Sequence, residues 1–577
     1  MKMIFEIPGS SENMTNLKKY STFSVLLIAI LFSGFRMAAQ NQEVTIVAPY
    51  KPVISDANKK SLDPIIADTV IEAPPVNYSI SSEPVYTAYE ISAIEPSLIE
   101  VETEEEMNRN YLKAGFGNYT MPYVELFTNS LSSEDFAIGF HARHLSSTGE
   151  IEDYATSAFS RNEAGLSVTR YLKESVFSGK VYYKRDVVHY YGFKPEDFLQ
   201  DSLTDEELRQ RFSLIGTNLK IASNKRRNDE VNYLAALNFY HLSDFYETNE
   251  LKIGLNSNLN SRNEFFDFVE KQELGVDISV DFYNNQDSLR SESTIVAGLR
   301  PYLRLNFEFL DLTLGARAAM TSDSTSEFYI YPDIRASYQV IPGFLRFYAS
   351  VSGGLERNSY RSVSGINPWV NPLFPLGFTS TKYNFKGGVT GKVNATVDYN
   401  FSVSYADVEN MLFFNNDFVM PYSPEISQNL GNKFTGIYDD ATVTTISAEL
   451  GYQQTRFFNI LLRAAYYDYQ PATQAKAWHK PAFEASLTAK YLFTEKLSFS
   501  GELFFNSKTY AQVLDNGALS LEENKAYADL NLGAEYRLLE QVSAFLNVNN
   551  ALASRYYRWY NYPSQRINVM GGFTFSF

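Results

Sequence analysis

Leu497–Ser498–Phe499–Ser500–Gly501–Glu502–Leu503–Phe504–Phe505–Asn506 reads with a period of two. Leu497, Phe499, Gly501, Leu503 and Phe505 fall on one face, and Ser498, Ser500, Glu502, Phe504 and Asn506 on the other. Successive side chains of an extended chain point to opposite sides, so this period predicts a strand with one apolar and one polar face. The pattern recurs. Ala528, Leu530, Leu532, Ala534 and Tyr536 oppose Asp529, Asn531, Gly533 and Glu535, and Leu345, Phe347, Ala349, Val351 and Leu355 oppose Arg346, Tyr348, Ser350, Ser352 and Glu356. Alternation begins at Asn110 and predicts an all-β region over residues 110–577.

A soluble sandwich alternates in the same way, so the connections decide. Short turns at 132–134, 341–343, 493–495 and 538–541 alternate with longer polar links at 190–206, 357–379, 416–440, 511–523 and 551–566. That rhythm belongs to outer-membrane barrels, with short turns on the periplasmic side and long loops outside. Counting segments gives about 22 strands, within a range of about 16–22, and an even number satisfies closure. The prediction is a transmembrane antiparallel β-barrel. In its last strand Ile567, Val569, Phe573, Phe575 and Phe577 fall on the lipid side. Phe573, Phe575 and Phe577 resemble the terminal aromatic signal read by the outer-membrane assembly machinery.

Composition agrees. The 577 residues have a mean hydropathy of −0.25 yet are 15% aromatic. A multi-helix membrane protein is excluded, because each span needs about 20 apolar residues in a row. With no cysteine there is no disulfide framework or thiolate metal site, and five histidines leave little for imidazole sites. A net charge of −17 argues against nucleic acid as a partner.

The N-terminus carries an export signal. Lys18 and Lys19 precede an apolar run, Phe23 to Phe32, and then the small residues Ala38 and Ala39. This order predicts a signal peptide over residues 1–39, with Met14 as the more natural start. Residues 40–109 hold seven of the 21 prolines and end in the acidic run Glu102 to Glu106. Proline fixes φ and removes donors, so an extended periplasmic or luminal segment is expected there. The expected location is the outer membrane of a Gram-negative bacterium.

Catalytic motifs are missing from the sequence: no Gly-x-Ser-x-Gly elbow, phosphate-binding Gly-Lys loop or His-Glu-x-x-His helix occurs. His141 and His144, three apart on a strand, point to opposite faces and cannot share a metal. No enzyme activity, metal or cofactor is expected. Lys180, Lys184, Asp186, Arg346, Glu356, Asp398, Asn400 and Glu502 are expected to point inward, where a wide barrel is wet. Link 357–379 is unusual for a solvated loop, with Pro368, Trp369, Pro372, Phe374, Pro375 and Phe378. Trp369, Phe374 and Phe378 are candidates for an inward-folded, pore-occluding loop; the alternative is a partner surface.

Glu43–Val44–Thr45–Ile46–Val47–Ala48 resembles a TonB box, a short stretch that adds a strand to the energising protein. Ala48–Pro49–Tyr50–Lys51–Pro52, Gly115–Phe116–Gly117–Asn118–Tyr119 and Val408–Glu409–Asn410–Met411–Leu412–Phe413–Phe414–Asn415–Asn416–Asp417 resemble Bacteroidota-type barrels of the TonB-dependent-receptor-like group. The resemblance implies a receptor-type barrel for passage or uptake of a solute, with outer-membrane lipids and a TonB-type energising protein as partners. Receptors of that group also carry a plug domain inside the lumen, and residues 40–109 are too short and proline-broken for one. The resulting reading is a plugless barrel. Its alternative is a non-transporting scaffold for surface lipoproteins or an assembly complex.

Overall fold

The computed structural model describes residues 110–577, apart from 131–134, 150, 198–203, 225–229, 263–265, 324, 419–429, 455–456 and 516–517. The expected signal peptide and residues 40–109 lie outside the described residues. The alternating segments form one antiparallel sheet of 22 strands. Its last strand, Asn568–Ser576, pairs with its first, Asn110–Gly117, from Tyr111↔Ser576 to Gly117↔Met570. At the seam the Asn110 amide donates to the Phe577 carbonyl at 2.9 Å, and the Phe577 amide to the Asn110 carbonyl at 3.0 Å. Closure leaves the sheet no free edge, which is what lets strands cross hydrocarbon.

The two faces separate as their alternation dictates. In the last strand Phe573 is 61% exposed, whereas its neighbour Thr574 is 3% exposed and points inward. Val569, Phe575 and Phe577 share the outer face with Phe573, as do Ile253, Leu255 and Leu259 in the strand Asn249–Ser261. An arginine at Phe575 therefore faces lipid. Phe575→Arg is expected to cost about 2–4 kcal/mol near mid-bilayer and less near an interface. Removal of Phe577 is expected to lower the assembled amount. Heat-modifiable migration and membrane yield read both effects, and unchanged values for both variants count against this outer face.

Both seam termini lie at one end of the barrel, where the connections are short. The opposite end carries the long ones, and there the expected boundaries shift. Residues 434–440, expected in a link, begin the strand Phe434–Gln454 of 21 residues. At roughly 3.3 Å per residue it projects well past a hydrocarbon core of about 30 Å. Its outer end is stabilised by packing and hydrogen bonding with other loops. Link 511–523 is a hairpin, Thr509–Asp515 paired with Ala518–Asn524, because hydrogen-bonded pairing satisfies main-chain groups that a bare loop leaves to water. Link 357–379 shortens to 359–376 and contains a helix, Tyr360–Ile366.

Candidate functional site

The connection 359–376 folds by local rules. Ser359 caps the helix, its hydroxyl accepting from the Ser362 amide at 3.2 Å. Asn367–Pro368 stops it, since the residue before proline is driven out of helical φ/ψ. The Asn367 side chain then accepts from the Trp369 amide at 3.0 Å and turns the chain.

Two buried carboxylates hold the start of the helix. Glu250 lies on the inward face of the strand Asn249–Ser261. One of its oxygens accepts from the Tyr360 amide at 2.6 Å and the Asn285 amide group at 3.0 Å. The other accepts from the Tyr240 hydroxyl at 2.8 Å and the Arg361 amide at 3.2 Å. A negative charge on the open amides of a helix N-terminus is favourable by charge and geometry together. The neighbouring Asp244 accepts from the Tyr360 hydroxyl at 2.7 Å and from Gln210 at 3.0 Å. Arg361 lies over the Tyr240 ring at 4.5 Å.

Past the helix, the chain meets segments rooted elsewhere on the ring. Val370 forms a parallel bridge with Phe434: the Asn371 amide donates to the Phe434 carbonyl at 2.7 Å, and the Phe434 amide to the Trp369 carbonyl at 3.0 Å. The Trp369 indole donates to the His189 carbonyl at 2.9 Å and stacks on Tyr562, with ring centroids 4.0 Å apart. The Tyr190 hydroxyl donates to the Val370 carbonyl at 2.9 Å, and Thr248 to Pro372 at 3.2 Å. Phe374 is buried over Gly436, where a Cβ would lie 2.5 Å from the ring. Gly192 lies equally close under Tyr562, at 2.3 Å. Inward-facing Phe212, Leu214 and Leu242 complete this apolar cluster.

Burial sets the charges. Loss of water raises the Asp244 carboxyl above its ordinary value despite its hydrogen bonds, and pushes the Tyr360 hydroxyl far up. Lys433, over the rings of Tyr190 and Tyr246 at 4.9 Å each, is lowered to about 8 by desolvation that outweighs the attraction of Asp417 and Asp244.

Trp369 and Phe374 thus meet in one cluster. Phe378 does not lie in the connection: it belongs to the strand Gly377–Lys392, under the Arg357 guanidinium at 5.1 Å. Phe573, Phe575 and Phe577 lie on the outer face, far from the cluster in the fold. Glu43, Val44, Thr45, Ile46, Val47 and Ala48 fall outside the described residues. On the inner wall Lys184 reaches Glu163 at 3.4 Å, and Tyr348 donates to Asn400 at 2.8 Å. His141 faces Glu125 at 3.1 Å while His144 contacts Asn162 at 2.7 Å. Among the described residues no three His, Asp or Glu are disposed to hold a metal. Sequence reasoning missed Asp244, Glu250 and Lys433; a carboxylate at the inward register of a strand end was the only available signal.

Several solved structures share the fold. The pyoverdine outer membrane receptor FpvA from Pseudomonas aeruginosa aligns over 82% of this chain and 79% of its own, with TM-score 0.59 and 14% identity. The ferric-catecholate import receptor Fiu from E. coli aligns over 82% of each chain, with TM-score 0.61 and 10% identity. The FrpB iron transporter from Neisseria meningitidis also aligns over 82% of each, with TM-score 0.62 and 12% identity. At such identity these likenesses concern the fold. No curated protein sequence matches the chain. Residues 108–551 match the family described as TonB dependent receptor-like, beta-barrel. This closed 22-strand barrel is a member of the TonB-dependent receptor-like β-barrel family.

Proposed function

We propose that the protein passes a solute across the outer membrane of a Gram-negative, Bacteroidota-type cell, and that at rest its own loops close it. One observation carries the reading. Trp369 is rooted between the thirteenth and fourteenth strands of the ring, yet it touches His189 at the end of the fifth and Tyr562 between the last two. A barrel of about 22 strands has a lumen too wide for wall side chains to fill, so an occluding element is needed. The cluster around Trp369 and Phe374 fills that role at the outer mouth. Phe573, Phe575 and Phe577 present the terminal signal to the assembly machinery.

Residues 40–109 extend on the periplasmic side in this reading, and Glu43–Ala48 pairs with a TonB-type energising protein. Strand addition needs main-chain donors and alternating side chains, which this stretch supplies. Crosslinkers placed at Val44 and Ile46 are expected to capture the energising protein in living cells, and deletion of 43–48 to abolish capture while barrel assembly is unchanged. No capture under substrate-replete conditions would instead favour a scaffold whose partners are surface lipoproteins.

A further inference from the structure

Next to the loop cluster lies a cavity of about 1110 Å³, on the inner wall formed by the later strands. The connection between the strands Phe458–Pro471 and Phe483–Leu492 folds over it. Within this connection His479 has φ +58, a left-handed conformation that non-glycine residues seldom adopt. Three contacts hold it there. Its amide donates to the Tyr510 carbonyl at 2.9 Å, its Nδ1 lies 3.0 Å from the Phe414 carbonyl oxygen, and the Tyr560 amide lies 3.4 Å from its Nε2. The kink separates its neighbours: Trp478 packs with Phe413 and Ala441, while Lys480 extends along the cavity wall. Burial lowers the imidazole of His479 to about 4, so it is neutral at ordinary pH.

Lys480 is the unusual group. Its ammonium lies 5.8 Å from the ring centroids of both Phe413 and Tyr469. Among the described residues the ammonium has no hydrogen bond or ion pair, although the Lys480 amide donates to the Ala477 carbonyl at 3.2 Å, and desolvation lowers its pKa. An ammonium with three donors and no acceptor in hydrogen-bond reach has them available to the cavity. Four carboxylates line the same wall, but Glu449 is held by Arg463 at 2.7 Å and Asp529 accepts from the Tyr556 hydroxyl at 2.6 Å. Glu356 and Glu484 attract Lys480 from beyond ion-pair distance. Arg558 and Lys525 add two further cations at the lining. Tyr527 and Tyr556, stacked 4.1 Å apart and nearly parallel, offer a flat apolar surface beside them.

We propose that this cavity is a binding site for an organic anion with a planar body, its carboxylate or phosphate oxygens seated on Lys480 and its body against the tyrosines. The proposal deepens the reading of the barrel as a solute passage by naming a ligand class. Its chemistry is that of a charge-assisted hydrogen bond.

Two of the chain's three tryptophans, Trp478 and Trp559, line the cavity, so intrinsic fluorescence reports occupancy. The full chain in detergent micelles is titrated with 2-naphthoate and with the neutral isostere 2-naphthamide. Saturable quenching by naphthoate is expected, with naphthamide weaker by about tenfold or more. Lys480→Met should lose the same factor, and Lys480→Arg should keep most of the affinity. Equal affinity for the two probes overturns the proposal, as does unaltered naphthoate binding by Lys480→Met or no saturable binding at all. The probe comparison needs no variant, so misfolding of Lys480→Met does not shelter the idea. Failure here leaves the crosslinking of Val44 and Ile46 untouched, so the two readings fall separately.

Discussion

Replacing residues 360–374 by a short Gly-Ser linker is expected to turn a nearly silent protein into a channel of nanosiemens order in planar bilayers. The segment contributes the whole helix together with Trp369, Val370 and Phe374. Its removal takes away the Tyr360 and Arg361 amides that Glu250 holds, and the Val370–Phe434 bridge. What remains at the mouth are direct contacts among the other loops, such as Tyr190 and Tyr562 on Asn432 and Tyr191 against Tyr562, which leave open the space that the helix, Trp369 and Phe374 filled. The wall should survive, because the flanking strands Leu345–Asn358 and Gly377–Lys392 pair with each other along most of their length. Unchanged heat-modifiable migration would verify that. If the wild type already conducts like a wide porin, the cluster does not close the mouth. If the deletion stays silent, something other than residues 360–374 blocks the lumen.

The wall was legible in the sequence and the anchoring of the loop was not. Period two is a local signal, so a strand count near 22 and the outward register of Phe573, Phe575 and Phe577 follow from neighbours in sequence, and the even count then suits closure. The apolar content of 357–379 likewise marked the segment that Trp369 and Phe374 tie into the cluster. Its anchors lie elsewhere: Glu250 is 110 residues from Tyr360, and His189 is 180 from Trp369. Nothing in Asn249–Ser261 distinguishes a carboxylate that caps a helix from one that merely wets the lumen. The same limit hid the strand starting at Phe434, whose outer end is buried by Trp369, Val370 and Tyr562. The hairpin in 509–524 is different, because Asn516–Gly517 between two alternating runs is a strong turn signal in its own right.

Closure of the cluster should tighten as pH rises through about 8, and Lys433 is the reason. Its pKa falls from the ordinary 10.5 to about 8 when the cluster is formed. A lowered lysine pKa means that the charged form is a net cost to the closed state, even after attraction to Asp417 and Asp244. Below pH 8 the ammonium is charged in both closed and open states and that cost is present in full. Between about 8 and 10.5 the closed state sheds its proton while the open state still holds one, so closure gains stability. Above 10.5 both are neutral and this group adds nothing further. The full span corresponds to about 3 kcal/mol. Lys433→Met has no charge to desolvate, so it should be closed more firmly than the wild type at pH 7, with the difference shrinking steadily above pH 8. Hydrogen exchange at the Asn371 amide, which donates to Phe434 next to Lys433, reads this directly when wild type and variant are compared at each pH. Weaker protection in the variant at pH 7 would mean that Lys433 holds Asp417 and Asp244 together, and that its attraction to them outweighs the loss of water.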